Sequence, residues 1–185
     1  MIKPVVLSLA LALMLLVTGI PAAAAQPAGE VQSEAAADSS WGIGWHAMQQ
    51  AQKLAADRGR KVLVYARAEW CTYCKRMEKE VLPDGEVGAL IDRHFLPVKI
   101  DVESDSLMHF NGRSLSQRQF SNEMRAVATP TFVFISGEGE VLGIQPGFLP
   151  KNTFMALLTY VGTDAYREMD AGAFIKQWKE EHSGR

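Results

Sequence analysis

The sequence predicts an α/β fold: a central mixed β-sheet flanked by helices, with a helix ahead of the first strand and a helical tail after the last. Three observations carry this. Residues 61–66 and 95–102 are short apolar runs rich in β-formers, and helical spacing fills the gap between them, so a right-handed parallel strand–helix–strand unit is expected. Residues 131–135 form a third such run, which Gly137-Glu138-Gly139-Glu140 turns back into a fourth at 141–144. Segments with apolar residues three and four apart stand before and after this set.

A leader precedes the domain. Lys3 supplies a small positive start, residues 5–20 are apolar apart from Ser8, Thr18 and Gly19, and Pro21 is followed by four alanines ending at Ala25. This pattern reads as a secretory signal peptide over residues 1–25, cut near Ala25. A retained anchor is the alternative, but so short a run barely spans a bilayer. No cysteine lies near the cut to carry a lipid. Residues 26–40 are rich in Ala, Glu, Ser and Gln without apolar period and read as a flexible tether. The domain is expected over residues 41–185.

The 185 residues are 48% hydrophobic and 22% charged with a net charge of −2, an ordinary globular composition for a single domain. No basic run points to nucleic acid. Both cysteines fall in one motif, Cys71-Thr72-Tyr73-Cys74. No other intrachain disulfide is possible, so the fold rests on its hydrophobic core.

Within the domain, Trp45, Met48, Ala51, Leu54 and Ala55 recur at helical spacing until Arg58-Gly59-Arg60. The strand at 61–66 leads into the cysteine pair. A helix is expected over 75–82, closed by Pro83. Asp84 then caps a second short helix carrying Val87, Leu90 and Ile91. The polar stretch 103–125, with scattered Leu107, Phe110, Leu115 and Phe120, reads as a loop followed by a helix over about 116–125. Phe154, Leu157, Leu158 and Val161 give a helix over 151–161, and two short helical stretches follow, near Ala165 and over 174–181.

The chemistry sits at the cysteines. A thiolate, not a thiol, attacks a disulfide, and a helix N-terminus favours the anion through unpaired N–H groups and its dipole. Here the pair follows a strand and opens a helix. Cys71 is expected at an exposed tip as the nucleophile, with Cys74 one turn further in as the resolving thiol and Lys75 and Arg76 adding positive charge. A structural zinc site needs four ligands. There is no third cysteine, and His46, His94, His109 and His182 show no paired spacing. Residues 101–112 fail as a calcium loop because Ser106 stands where Gly is required and Gly112 where Glu is required. Thr129-Pro130 has two readings: a proline that merely starts a strand, or a cis-proline packed beside the cysteines that leaves backbone free for an extended substrate.

Together these pieces resemble the thioredoxin family. The matching residues are Ala68-Glu69-Trp70-Cys71, Cys74-Lys75, Val98-Lys99-Ile100-Asp101, Val127, Thr129-Pro130-Thr131-Phe132, the Gly137 turn and Gly147. They occur in the family's order over about residues 41–161. The resemblance implies a thioredoxin fold, a cis Pro130, Cys71 as nucleophile, and substrate contacts at Trp70, Thr129 and Pro130. A narrower likeness is to secreted bacterial thioredoxins of the SoxW-like group. It rests on the leading Trp-rich helix, the long segment before Thr129-Pro130, and the Tyr160-Val161-Gly162 tail with Tyr166 and further helices. That group is associated with reduction of periplasmic partners in sulfur oxidation. The sequence departs from the family where a buried Asp is usual, six residues before Cys71, and has Tyr65 there. Pro97 aligns with the lysine that faces this Asp. Glu69 reads as a solvated residue, and Thr72-Tyr73 resembles the dipeptides of periplasmic disulfide isomerases.

The function expected is a periplasmic thiol:disulfide oxidoreductase exchanging a Cys71–Cys74 disulfide with partner proteins as a reductant. The alternatives are an oxidant or isomerase of the same fold, or a non-enzymatic binding module. Expected partners are protein disulfides and a membrane electron carrier that re-reduces the pair; the chain is read as a monomer that needs neither cofactor nor metal and binds no nucleic acid. Residues 105–119 are a candidate for partner-specific contacts or a variable surface loop.

Overall fold

The computed structural model describes residues 38–126 and 128–182. The leader at 1–25 and residues 26–37 of the tether lie outside them. After a 3₁₀ turn at Ser40–Gly42, the elements in order are α1 (Met48–Arg58), β1 (Lys61–Arg67), α2 (Thr72–Glu80), α3 (Gly85–His94), β2 (Phe95–Asp101), β3 (Leu107–Phe110), β4 (Arg113–Ser116), α4 (Gln117–Glu123), β5 (Thr131–Ile135), β6 (Val141–Pro146), α5 (Lys151–Gly162) and α6 (Ala171–Glu181), with a second 3₁₀ turn at Ala165–Arg167 before α6.

The main sheet has the order β2-β1-β5-β6. β1 pairs with β2 in parallel and with β5 antiparallel, and β6 runs antiparallel to β5. The sheet is therefore mixed, as expected, and the crossover between the parallel strands β1 and β2 is made by α2 and α3. The central strands β1 and β5 are buried almost throughout. This explains why they read as continuous apolar runs rather than alternating ones. The edge strand β6 mixes exposed and half-buried residues and has no fully buried one.

Two apolar layers cover the sheet. On one face Leu63, Tyr65, Phe132 and Phe134 pack against Met77, Ile91, Phe154 and Leu158 from α2, α3 and α5. On the other, Val62, Val64, Val133 and Ile135 meet Met48, Ala51 and Ala55 of α1 and Phe120 of α4. Burying each such side chain contributes roughly 1.5–3 kcal/mol before entropy is counted.

Helix ends follow local chemistry. Gly59 takes φ 60° after α1, a left-handed cap that costs glycine nothing. Asp84 accepts hydrogen bonds from the N–H groups of Glu86 and Val87 at the start of α3. Ser116 and Gln119 form a reciprocal capping box on α4. Trp45 lies ahead of α1 rather than within it. Its ring packs on Tyr65, with centroids 6.1 Å apart.

The stretch read as a loop before α4 is instead a hairpin, β3 to β4, turning at Asn111-Gly112. Both turn residues have positive φ. Met108, Phe110 and Leu115 point inward while Leu107 and His109 point out, so the apolar residues that looked scattered follow a strand period. An Asn-Gly pair between short alternating runs is a strong hairpin signal. Asn111 ties the hairpin down: its N–H donates to Gln52 Oε1, its Oδ1 accepts from Gln52, and its Nδ2 donates to the Gly139 carbonyl.

Candidate active site

β1 ends at Arg67, and residues 68–70 carry the chain around to Cys71, the N-cap of α2. The cap is made by sulfur. Cys71 Sγ accepts the Cys74 N–H at 3.0 Å, the place usually taken by a serine or aspartate oxygen. Cys71 and Cys74 are joined as a disulfide with their Cα atoms 5.2 Å apart. The two-residue spacing over one helical turn makes this closure possible.

The expected exposed tip is not what the structure shows. Cys71 is 3% exposed and Cys74 fully buried, against Ala68 and Val102. The residues beside them are the exposed ones: Trp70 at 63% and Tyr73 at 60%. The turn after β1 lays Cys71 back against the end of the sheet and lifts its neighbours outward. Glu69 is exposed, as read from sequence.

The Thr129-Pro130 peptide is cis. Thr131 opens β5 opposite Ala66 of β1, so Thr129 and Pro130 enter at the sheet end from which residues 68–71 leave. Pro130 is buried, and its carbonyl accepts the Gly147 N–H at 2.7 Å. The Thr129 hydroxyl is buried without a hydrogen-bond partner among the described residues. The fold thus brings Cys71, Cys74, Trp70, Thr129 and Pro130 to one end of the sheet.

Three features went unread in the sequence. Behind Cys74, Tyr65 Oη lies 3.4 Å from the Cys74 carbonyl and donates to Glu78 Oε1 at 3.1 Å. The same carboxylate oxygen accepts Arg67 Nε at 2.7 Å. Burial, and then the charge of Glu78, push the Tyr65 phenol far above its ordinary value, so it stays protonated as a donor. The available signal was spacing: Glu78 follows Cys74 by four positions, on the same helix face. Second, the residue facing Tyr65 across the strands is Lys99, not Pro97, which pairs with Leu63. Third, the Arg76 guanidinium lies 4.2 Å from the ring centroid of Phe148 and pairs with Glu80.

A cleft of about 530 Å³ is lined by residues such as Trp41, His46, Arg60, Gly88 and Pro97 and includes neither cysteine. The disulfide at the start of α2 is not part of this cleft.

Comparison with known proteins agrees with this geometry. A family model described as a thioredoxin-like domain matches residues 48–162. The thiol:disulfide interchange protein DsbD of Haemophilus ducreyi is 32% identical over 114 residues, which are 58% of this chain and 18% of that protein. The disulfide bond reductase DsbH of Chlamydia pneumoniae is 28% identical over 92 residues, 46% of this chain and 52% of that protein. The chain therefore spans about a fifth of the DsbD relative and about half of the DsbH relative. Among solved structures, a thioredoxin-fold protein from Helicobacter pylori superposes with a TM-score of 0.61 at 20% identity, over 65% of this chain and 85% of that one.

Proposed function

The chain belongs to the thioredoxin-like domain family, and from that premise we propose that it is a thiol:disulfide oxidoreductase acting on protein disulfides through Cys71 and Cys74. The observation that carries the reading is the capping disulfide itself. Cys71 Sγ already accepts a backbone N–H at the start of α2, so the thiolate released on reduction finds a donor and a helix dipole in place. Such interactions are worth about 1 kcal/mol each.

The exchange balances as follows. The Cys71 thiolate attacks one sulfur of a partner disulfide, forming a Cys71–partner disulfide and releasing the other partner sulfur as a thiolate. Cys74 gives up its proton and attacks Cys71 Sγ. The Cys71–Cys74 disulfide forms, the second partner thiolate leaves, and two electrons have passed to the partner. An external dithiol must then reduce the pair again; we assign that role to a membrane electron carrier. Trp70 and Tyr73 present the apolar surface a partner would cover, and the backbone at Thr129 and Pro130 offers pairing to an extended segment.

The reductant direction is supported by the name of the DsbH relative, a disulfide bond reductase. Location in the periplasm rests on the leader read at residues 1–25. Within the family we favour the SoxW-like group, on the Trp41 and Trp45 lead, the insertion before Thr129 and the α6 tail, and we read the protein as acting as a monomer.

Reduction of insulin by the dithiol-treated protein tests the activity, with Cys71→Ser abolishing it and Cys74→Ala accumulating a mixed disulfide on Cys71. Unchanged reduction by Cys71→Ser would leave only a binding module. An oxidant or isomerase is the competing reading, and a reduction potential near about −120 mV rather than about −270 mV would favour it.

A further inference from the structure

We infer that the Arg67–Glu78 ion pair, linked to the helix start by Tyr65, sets the acidity of the reduced cysteine pair through two opposed charges. The inference rests on the disulfide-exchange reading and deepens it. Tyr65 occupies the place where the family has a carboxylate, so charge behind Cys74 must come from elsewhere. It comes from Glu78, one helical turn beyond Cys74 on the same face, and from Arg67 at the end of β1. Their side chains are 14% and 21% exposed. Charges this far from solvent are weakly screened. Tyr65 is fully buried and spans the gap, its hydroxyl 3.1 Å from Glu78 and 3.4 Å from the Cys74 carbonyl. It ties the ion pair to the backbone of Cys74, the residue that carries the buried thiol.

The surrounding charges do not duplicate the pair. On β2, Lys99 faces Tyr65 but is bound to Asp38, and Asp101 faces Arg67 across the strands as a second carboxylate that every variant keeps. On α2 itself, Arg76 is paired with Glu80, and Lys75 and Lys79 are exposed.

Forming a thiolate adds negative charge at the helix start. The Glu78 carboxylate opposes it and the Arg67 guanidinium favours it, so the two largely cancel in the native pair. Removing either partner shifts the local balance toward the charge of the other, with Asp101 unchanged in both cases. Glu78→Gln leaves the cation, and the acid constant of the reactive thiol should rise by about threefold or more. Arg67→Gln leaves the carboxylate, and the constant should fall by a similar factor. A stabilised thiolate stabilises the dithiol, so the equilibrium with glutathione should move toward the dithiol in the first variant and toward the disulfide in the second.

The experiment titrates thiolate absorbance against pH in reduced wild type, Glu78→Gln, Arg67→Gln and the charge-keeping Glu78→Asp and Arg67→Lys, each checked for native circular dichroism. It also measures the glutathione equilibrium of each. Opposite shifts in the two charge-removing variants, with the charge-keeping ones near wild type, support the inference. Shifts of the same sign, no shift, or Glu78→Asp moving as far as Glu78→Gln would overturn it, because a merely structural role loosens the site equally in both. If a glutamine variant fails to fold, the conservative pair decides, since any large shift there sinks the charge argument. Wild type that exchanges with neither glutathione nor insulin overturns the exchange reading instead.

Discussion

Lys99 of β2 reaches back to the carboxylate of Asp38 at the start of the described chain, while its ammonium lies 5.0 Å from the ring centroid of Trp41 and 5.7 Å from that of Trp45. One side chain therefore fastens the segment before α1 to the sheet strand facing Tyr65. Hydrogen bonds from Lys99 and Ser40 hold the Asp38 carboxyl at about 2, well below its ordinary 3.8. A carboxylate depressed on folding stabilises the fold above its unfolded value, and that stabilisation is lost as pH falls from 3.8 toward 2. The pair is partly open to solvent, with Asp38 39% exposed, so screening limits it to about 1 kcal/mol. Asp38→Asn should therefore cost about 1 kcal/mol in urea unfolding at pH 7 and nothing near pH 2. A constant difference across that range would show that charge is not the cause.

His94, at the end of α3, lies against Gly162 of α5. A Cβ at residue 162 would stand 2.6 Å from His94 Cγ and 2.9 Å from its Cβ. Gly162→Ala should destabilise by about 1–3 kcal/mol, as overpacking does. The same enclosure, then the charges of Arg93, Lys61 and Arg60, lower the His94 pKa from 6.5. The unfolded chain binds this proton more readily than the native one, so stability falls as pH drops below 6.5 and is unaffected above it. His94→Gln should lose less stability than wild type between pH 7 and pH 5, as read by thermal midpoint. Parallel loss in both proteins would remove His94 as the source.

Thr129 buries a hydroxyl that has no hydrogen-bond partner among the described residues. An unpaired buried hydroxyl costs roughly 1–3 kcal/mol, and valine has nearly its shape. Thr129→Val should leave stability unchanged or raise it by about 1 kcal/mol. Because the proposed substrate pairing at this position uses backbone, the rate of insulin reduction should stay within about twofold, well under the tenfold that 1.4 kcal/mol would bring. A clear loss of stability would mean that the hydroxyl is satisfied in the native protein.

Trp70 is the most exposed aromatic next to the disulfide, at 63%. Its replacement by alanine should change stability by less than about 0.5 kcal/mol yet lower the efficiency of insulin reduction by about tenfold, the loss of about 1.4 kcal/mol of partner contact. Reduction of oxidised glutathione, too small to cover Trp70, should be unaffected. Equal losses on both substrates would place Trp70 in the chemistry rather than in docking.

Much of this molecule is legible in its order of residues. The parallel unit, the β5–β6 turn, the Asp84 cap and the helix at 151–161 all follow from short-range rules, because period, capping chemistry and turn residues act within a few positions. Cys71 and Cys74 are equally local: three positions apart, they meet on one helical turn wherever the helix starts. The hairpin at 107–116 was within reach through Asn111-Gly112 and was missed because its apolar residues were read without the strand period.

What only the tertiary structure decided depends on pairs far apart in sequence. That Cys71 lies buried while Trp70 and Tyr73 face outward follows from how the turn after β1 packs against Val102. That Lys99, not Pro97, faces Tyr65 follows from the register of two parallel strands, and a slip of two positions keeps every side chain on its own face, so no pattern in the sequence distinguishes the two. That Glu78 meets Arg67 and Tyr65 follows from the angle at which α2 crosses β1. Local propensity determined which residues carry the disulfide. Strand register and helix packing, set by burial over the whole core, determined which charges surround it.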